Sequence, residues 1–331
     1  MIHSASESLS AGRQPTTAAV IPKIYGMFYA PENKERHVKL AAADPIMIYV
    51  RNAVTMAQSA IAAGMDFELV TNDPDRLRRA AATVPGSEAL ALRFHDFKLE
   101  VPRGIRFQSA HYKLELIQAF GTGAFGDHCA MVDIDAVLLR PLELHDADAL
   151  YVYDISAQHF GRTVPAKAQS DLDLVAGEGI ANPRWFGGEF KAGPAHMFRK
   201  LGEEIARMWP RYQEVAPDMY HTGEEMVLSA ALNRMIQQGE PIRDAGVDQL
   251  AARWWSLRTR NQIGSWKAAA DCTLFHLPAC KEFLARDYAP FNPSRFLVRH
   301  RSWARGRLPF EFAKVVSDRL QGRKSYLPQV L

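Results

Sequence analysis

Residues 111–142 read HYKLELIQAFGTGAFGDHCAMVDIDAVLLRPL, and this stretch decides the fold prediction. Its first part places apolar residues at Leu114, Ile117 and Phe120, which is the spacing of one helix face, and a glycine follows them. From Cys129 the chain is apolar up to two aspartates, as is typical of a strand covered on both faces. The stretch therefore predicts a helix and then a buried strand that ends in acidic residues.

The residues before this stretch alternate between strand and helix patterns. Residues 23–30 (KIYGMFYA), 66–72 (DFELVTN) and 91–97 are short apolar or aromatic runs typical of strands. Helical patterns separate them, one ending at Gly64 and one at residues 75–82. This alternation predicts an α/β fold with a mostly parallel sheet flanked by helices.

The residues after it are less regular. A polar segment at 157–182 predicts a long loop or insertion. FGGEFKAG, which begins at Phe186, and CTLFHL, which begins at Cys272, predict two strands. Helical patterns lie near residues 194–209 and 224–238. No internal repeat or clear linker interrupts the chain, and the pattern predicts a single domain.

Three segments differ in composition and predict the domain organisation. Residues 1–20 are rich in Ser, Ala and Thr and predict a flexible leader, residues 21–285 form the predicted domain, and residues 286–331 form a basic C-terminal extension. The extension has ten Lys or Arg and three acids, a net charge of +7, whereas the remainder has −4. A basic tail on an acidic body favours contact with an anionic membrane surface. The alternative is a helix that packs on the domain with solvated arginines.

The bulk composition excludes several classes of protein. The chain has 331 residues, 47% apolar and 23% charged, which is typical of a globular protein. The net charge of +3 and the lack of interleaved basic and aromatic residues argue against nucleic-acid binding. The three cysteines have no metal-site spacing, and two of them lie in apolar runs, where reduced core thiols are expected. Because the leader has no apolar core and the apolar run 46–63 is interrupted by polar residues, we expect a cytoplasmic protein.

Asp133 and Asp135 are the sharpest chemical feature. Two residues apart on an extended strand, their side chains would point to the same side. Two carboxylates leaving a buried strand need neutralisation, and a divalent metal ion supplies it while keeping positions open for phosphate oxygens. One alternative is that they cap a turn. Another is a haloacid-dehalogenase-like phosphatase, whose D-x-D follows the first strand of its domain, whereas three predicted strands precede this one.

The block at residues 111–142 resembles the D-x-D region of GT-A-fold glycosyltransferases, and is most similar to the retaining galactosyl- and glucosyltransferases of family eight. The resemblance implies that Lys113 contacts the diphosphate of a nucleotide-sugar donor. It implies that Asp133 lies near the ribose and the metal ion, and that Asp135 binds the metal ion directly.

Three later segments have counterparts in that family. Gly187 and Gly188, in WFGGEF, resemble the small-residue strand beside the donor sugar and acceptor, where glycines allow a close approach to the backbone, and Glu189 follows as a further candidate catalytic acid. HTGEE opens a helix, with Thr222 as its predicted N-cap, and simple capping is the competing interpretation. The resemblance makes Glu224, and after it Glu225, the candidate catalytic acid, although the family has D-Q-D where this chain has G-E-E.

His276 ends the strand CTLFHL and by resemblance is the third metal ligand, with Lys281 after it on the diphosphate. Two carboxylates and one imidazole suit Mn²⁺ better than Mg²⁺. A histidine in an apolar strand is also commonly a satisfied core residue.

The ends of the first two strands would hold the nucleotide in this fold. They supply the candidate residues Phe28, Tyr29, Ala30, Asn72 and Asp73. Residues 31–33 (PEN) replace the acidic ending that the family has after its first strand, so the base stays open, with uridine the commonest in the resembling enzymes.

The function that follows is transfer of a hexose from a nucleotide diphosphate sugar, such as a UDP-sugar, to a glycan or lipid-linked acceptor. The reaction would depend on Mn²⁺ or Mg²⁺ and retain the anomeric configuration, as in polysaccharide biosynthesis, with peripheral membrane contact through the tail. The main alternative is a non-catalytic nucleotide-sugar-binding or scaffold protein of the same fold.

Overall fold

The structure, a computed structural model, describes residues 19–30, 45–102, 104–161, 163–254 and 264–322. Most of the predicted leader and the PEN segment lie outside the described residues.

The described residues form ten strands and ten α-helices. The strands are β1 (Lys23–Phe28), β2 (Phe67–Thr71), β3 (Ala91–Phe94), β4 (His128–Val132), β5 (Ala136–Leu138), β6 (Leu150–Asp154), β7 (Phe186–Pro194), β8 (Ile242–Asp244), β9 (Ala251–Arg253) and β10 (Leu274–His276). The helices are α1 (Pro45–Ala62), α2 (Pro74–Ala81), α3 (Tyr112–Gly121), α4 (Ser156–Phe160), α5 (Ala166–Ala176), α6 (Ala195–Val215), α7 (Glu224–Gln237), α8 (Trp266–Ala270), α9 (Lys281–Leu284) and α10 (Pro293–Leu320).

Seven strands make one mixed sheet in the order β3-β2-β1-β4-β7-β6-β8. β7 runs antiparallel to both of its neighbours, and the other four adjacent pairs are parallel. β4 and β7 are almost wholly buried, because helices cover both faces of the sheet. This topology confirms the predicted fold class, an α/β single domain with a mostly parallel sheet flanked by helices.

A second sheet, of order β5-β10-β9, carries the end of the acidic motif. β5 follows β4 after a three-residue turn and leaves the main sheet to pair antiparallel with β10, where Ala136 lies opposite His276. β10 in turn pairs parallel with β9, where His276 lies opposite Arg253. The small sheet therefore brings together residues that are far apart in the sequence.

The predicted loop at 157–182 is wrong for much of its length, because α4 and α5 lie within or beside it. α5 buries Leu172, Val175 and Ala176 against the core, while charged and amide side chains alternate with them. A helix with only one narrow apolar stripe has a weak periodic signal, and packing against α6 and α7 stabilises it.

The first half of α10 packs against the domain. Phe296 and His300 lie in an aromatic cluster, defined here as Trp266, Phe283, Phe296, His300 and Trp303. The interpretation of the tail as a helix that packs on the domain therefore holds for this half. Among the described residues, no helix is both long enough and apolar enough to cross a bilayer. All three cysteines are buried free thiols, as predicted.

Candidate functional site

The acidic pair lies in a turn rather than on an extended strand. Asp133 directly follows β4, and Asp135 directly precedes β5. The turn is needed because β4 belongs to the main sheet and β5 to the small one. Backbone bonds hold both ends of it, with the Asp133 N–H donating to the Glu189 carbonyl (3.1 Å) and the Leu277 N–H donating to the Asp135 carbonyl (2.9 Å). The two side chains nevertheless converge.

Asp133, Asp135 and His276 form a set of potential metal ligands, with one ligand atom of each within 4.8 Å of the others. His276 Nε2 lies 3.1 Å from Asp135 Oδ1 and 3.8 Å from Asp133 Oδ2. Burial alone would lower the pKa of His276, but Asp135 and Glu189 outweigh it and raise the pKa to about 9. Two carboxylates and one imidazole around a partly open position match the donor set that Mn²⁺ accepts. The residues therefore fit a divalent metal ion.

Lys113 reaches the site from α3. Its ammonium pairs with Asp133, donates to the Gly188 carbonyl (3.2 Å) and lies 3.6 Å from Glu224 Oε1. Burial opposes the charge of Lys113, but Asp133 and Glu224 outweigh it and its pKa lies above the ordinary value. A buried ammonium that contacts two acids and a carbonyl is a structural cation of the site, not a solvated surface lysine.

Lys281 is the first residue of α9 and contacts Asp135. Its ammonium pairs with that carboxylate and donates to the Pro278 carbonyl (3.0 Å). Burial opposes its charge as well, but Asp135 outweighs it and raises the pKa of Lys281. Each carboxylate of the D-x-D pair thus has its own lysine.

Glu224 lies close to the backbone of Gly188 in the site. A Cβ added to Gly188 would lie 2.3 Å from Glu224 Oε1 and 3.3 Å from Lys113 Nζ, so a side chain here would displace the Glu224 carboxylate. Glu224 is the first residue of α7, but Thr222 is not its N-cap. Gly223 takes that position and no side chain caps the helix, so the capping prediction is wrong.

Glu225 is held more firmly than Glu224. Its carboxylate accepts from Trp185 Nε1 (3.0 Å) and from the Gly188 N–H (3.3 Å), and lies 3.5 Å from the Arg253 guanidinium. Burial opposes ionisation of Glu225, but Arg253 outweighs it and the pKa lies below its ordinary value. Gly187 lies beside Gly188, buried in β7.

Two charged residues of the site were not predicted from the sequence. Arg253 forms two hydrogen bonds to Glu189 (2.6 and 2.7 Å), and Glu189 is only 1% exposed. Lys191, also 1% exposed, donates to the Gly188 carbonyl (3.0 Å), and burial lowers its pKa to about 8. The available signal was a glutamate and a lysine inside an otherwise apolar strand, since buried charges need partners.

The ends of β1 and β2 adjoin each other, as the parallel pairing requires. The Asn72 side chain accepts from the Ala30 N–H (2.7 Å) and donates to the Ala30 carbonyl (3.0 Å). Tyr29 stacks on Tyr112 with 4.0 Å between ring centroids, and Phe28 contacts Tyr49. Parallel strands place these ends on the same edge as the end of β4, where ligands bind in open α/β sheets.

Asp73 has a structural role at that edge. Its carboxylate accepts from the Arg76 N–H (2.9 Å) and forms the N-cap of α2. One oxygen is thereby engaged in capping.

Comparisons with known proteins find similarity at the level of solved structures. The chain is similar to the galactosyltransferase LgtC in complex with donor and acceptor sugar analogues, at 14% identity and a TM-score of 0.47, covering 83% of this chain and 93% of that one. It is also similar to an active-site mutant of LgtC, at 14% identity and a TM-score of 0.47, covering 84% and 95%. No family model matches the chain, and no curated protein matches it by sequence. At this level of similarity the comparison assigns no activity.

Proposed function

We propose that the protein is a metal-dependent glycosyltransferase that moves a hexose from a nucleotide diphosphate sugar to a saccharide acceptor. The observation that carries the proposal is the convergence of Asp133, Asp135 and His276 beside Lys113 and Lys281. Two acids and an imidazole suit a divalent cation, and two flanking ammonium groups suit the phosphates that such a cation bridges.

The proposed roles of the site residues follow from their charges. Lys113 and Lys281 bind the diphosphate and stabilise its charge as it departs, while Asp133, Asp135 and His276 would hold Mn²⁺ or Mg²⁺. When bound, the cation acts as a Lewis acid that neutralises the leaving diphosphate. In the structure each lysine pairs with one aspartate, which supports a role for both ammonium groups beside the metal ion and the phosphates.

Glu224 is our candidate for the sugar side of the reaction. The bond between the anomeric carbon and the phosphate oxygen breaks with its electron pair on the diphosphate. The acceptor hydroxyl then bonds to that carbon, and its proton passes to the departing diphosphate oxygen. Glu224 lies within 3.6 Å of Lys113 and has no second cation among its described ion pairs, so its charge can stabilise the positive anomeric centre. Glu225 is the second candidate, and the family resemblance favours retention and a UDP-linked donor.

Nucleotide release tests the proposal. Purified protein is incubated with a panel of nucleotide-sugars, with Mn²⁺ and with EDTA, beside Asp135→Asn and the exposed control Asp148→Asn. We expect release from one donor that needs the metal ion, persists in the control and is lost in Asp135→Asn. No release and no metal-dependent nucleotide binding would contradict the proposal. Binding without release would favour the scaffold alternative.

The second half of α10 supports a membrane-linked acceptor as part of the proposal. Phe310, Val316 and Leu320 are 75%, 57% and 84% exposed, on a helix that carries the basic residues of the tail. Exposed apolar and basic side chains on one helix favour an anionic membrane surface.

Vesicle sedimentation tests this part. We expect binding to phosphatidylglycerol vesicles, none to phosphatidylcholine vesicles, and loss of binding in Phe310→Glu/Leu320→Glu. The control Val247→Glu changes a residue that is 78% exposed elsewhere in the molecule. Equal binding by all variants would remove the tail from the proposal.

A further inference from the structure

We infer that Glu189 is a positioning residue of the metal site, which acts by orienting His276 and is itself held by Arg253. This inference rests on the metal site of the proposed function. It assigns Glu189 a role different from that of a catalytic acid on the sugar.

The two nitrogens of the His276 ring face different acids. Nε2 faces the D-x-D pair, 3.1 Å from Asp135 and 3.8 Å from Asp133. Nδ1 lies on the other side of the ring, and its acidic neighbour there is Glu189 Oε1 at 3.5 Å. Nδ1 is buried and makes no hydrogen bond among the described residues, which leaves Glu189 as its nearest acid. Glu189 is thus the acid that the ring meets on the side away from the candidate ligands.

Arg253 determines where the Glu189 carboxylate lies. Both oxygens of Glu189 accept from the guanidinium, at 2.6 and 2.7 Å, in the paired geometry that fixes a carboxylate plane. Arg253 ends β9 and lies opposite His276 in the pairing of β9 with β10. Glu189 enters from β7 of the main sheet. The small sheet therefore supplies both the imidazole and the cation that holds the acid in place.

This arrangement distinguishes the two ring nitrogens of His276. A carboxylate on the Nδ1 side favours a proton on Nδ1, so that Nε2 is the nitrogen available to a metal ion bound by the two aspartates. Metal-binding histidines commonly donate their second ring N–H to such an acid, which fixes the ring and increases its basicity. Glu189, at 1% exposure with both oxygens on Arg253, has no free oxygen for a sugar. The competing explanation is an ion pair that only joins β7 to β9.

A double-mutant cycle on Mn²⁺ affinity separates the two explanations. Calorimetry without any donor gives the Mn²⁺ dissociation constant of the wild type, Glu189→Gln, His276→Gln and the double variant. Loss of an orienting acid typically weakens metal affinity by about 10–100-fold, so we expect at least a tenfold increase for Glu189→Gln. In the His276→Gln background we expect no further increase, because the ring through which Glu189 acts is absent.

Two controls address folding. Asp171 is a carboxylate as buried as Glu189, at 1% exposure; it pairs with Lys167 (2.7 Å) and accepts from the Tyr220 N–H (2.6 Å), and it makes no contact with His276 among the described ion pairs and hydrogen bonds. We expect Asp171→Asn to lower stability without changing the Mn²⁺ dissociation constant. If Glu189→Gln folds poorly because Arg253 loses its bidentate carboxylate, Glu189→Gln/Arg253→Gln removes both charges, and we expect it to fold and to bind Mn²⁺ as weakly as Glu189→Gln.

Metal selectivity gives a second readout. Mg²⁺ depends on oxygen ligands more than Mn²⁺ does, so Glu189→Gln should weaken Mn²⁺ more than Mg²⁺. Equal weakening of both ions, equal weakening in both backgrounds, or unchanged affinity in a folded Glu189→Gln protein would each overturn the inference and leave the proposed function standing. A wild type that binds no Mn²⁺ would overturn both.

Discussion

Two buried histidines, His276 in the acidic site and His300 in the aromatic cluster, differ in the charges that surround them. They are 3% and 0% exposed, so burial does not distinguish them. Asp135 and Glu189 raise the pKa of His276 to about 9 against the effect of burial, whereas burial alone lowers the pKa of His300 to about 4. The neighbouring charges, and not the depth of burial, distinguish the histidine of the candidate site from the histidine of the core.

Replacing each of the two histidines by alanine gives the largest expected difference between the two regions. His276→Ala removes a proposed ligand, and we expect Mn²⁺ affinity to fall by at least about 100-fold, since even an outer partner is worth 10–100-fold. His300→Ala opens a cavity among aromatic rings, and we expect a loss of about 3 kcal/mol in the free energy of unfolding. Calorimetry and urea unfolding measure the two effects.

Each variant is the control for the other. His300→Ala should leave the Mn²⁺ dissociation constant within about twofold, because the His300 ring contacts Phe275 and Cys280 but none of the three proposed metal ligands. A loss of Mn²⁺ binding in folded His300→Ala would break the distinction between the two regions.

Acid stability sharpens the comparison at His300. Its folded pKa of about 4 lies below the ordinary 6.5, so between these values the unfolded state binds a proton that the folded state does not. The free energy of unfolding therefore falls as the pH falls from 6.5 to 4, by about 2 kcal/mol at pH 4.5. His300→Asn cannot titrate, and its Oδ1 can still accept from Trp266 Nε1, which donates to His300 Nδ1 at 3.0 Å.

Urea unfolding at pH 7 and pH 4.5 checks this prediction. We expect His300→Asn to lose about 2 kcal/mol less than the wild type between the two pH values. An equal loss in both proteins would mean that His300 is protonated in the folded state.

Gly188→Ala should affect the acidic site with little effect on the rest of the molecule. The new methyl group would meet Glu224 at 2.3 Å and displace its carboxylate from Lys113. We expect nucleotide release to fall by about tenfold or more, because small displacements in an active site cost rate, with about 1–3 kcal/mol lost in stability. Gly179→Ala, which meets nothing within 4 Å, is the matched control, and equal activity of the two variants would refute the assignment of Glu224.

The smallest prediction concerns helix caps near each region. Asn292 caps α10 by accepting from the Arg295 N–H (2.9 Å), and Asn292→Ala should cost about 1 kcal/mol without changing Mn²⁺ affinity. Thr222 makes no cap at α7, and Thr222→Ala should change stability by less than about 0.5 kcal/mol. Thermal unfolding measures both, and the reverse order would contradict the caps seen in the structure.

Much of the fold could be predicted from local pattern. The apolar runs that became β1, β2, β4 and β7 and the periodic helix α3 are long or strongly patterned, and packing did not override them. α4 and α5 were missed because short helices depend on tertiary contacts for stability. The N-cap at Thr222 was wrong because the residue type allows capping, while the backbone decides which residue occupies the position.

The residues of the candidate site also divide into those that local pattern predicts and those that it does not. Asp133 and Asp135 could be identified because two acids after an apolar strand are conspicuous in one dimension. His276 and Lys281 were expected only from a family resemblance, and Arg253 was not expected at all. The contacts of these residues cross between two sheets, and local pattern contains no information on that pairing.

Local sequence pattern was enough to predict the α/β class, the strand that leads into the acidic pair and the charged site at the end of that strand. These follow from apolar periodicity and from the cost of burying carboxylates, which are local properties of the chain. The folded molecule was needed to see that His276 lies beside the pair, that each aspartate has its own lysine, and that Arg253 holds Glu189 near the ring. The physical reason is that β5 leaves the main sheet to pair with β10, and long-range strand pairing depends on the packing of the whole molecule.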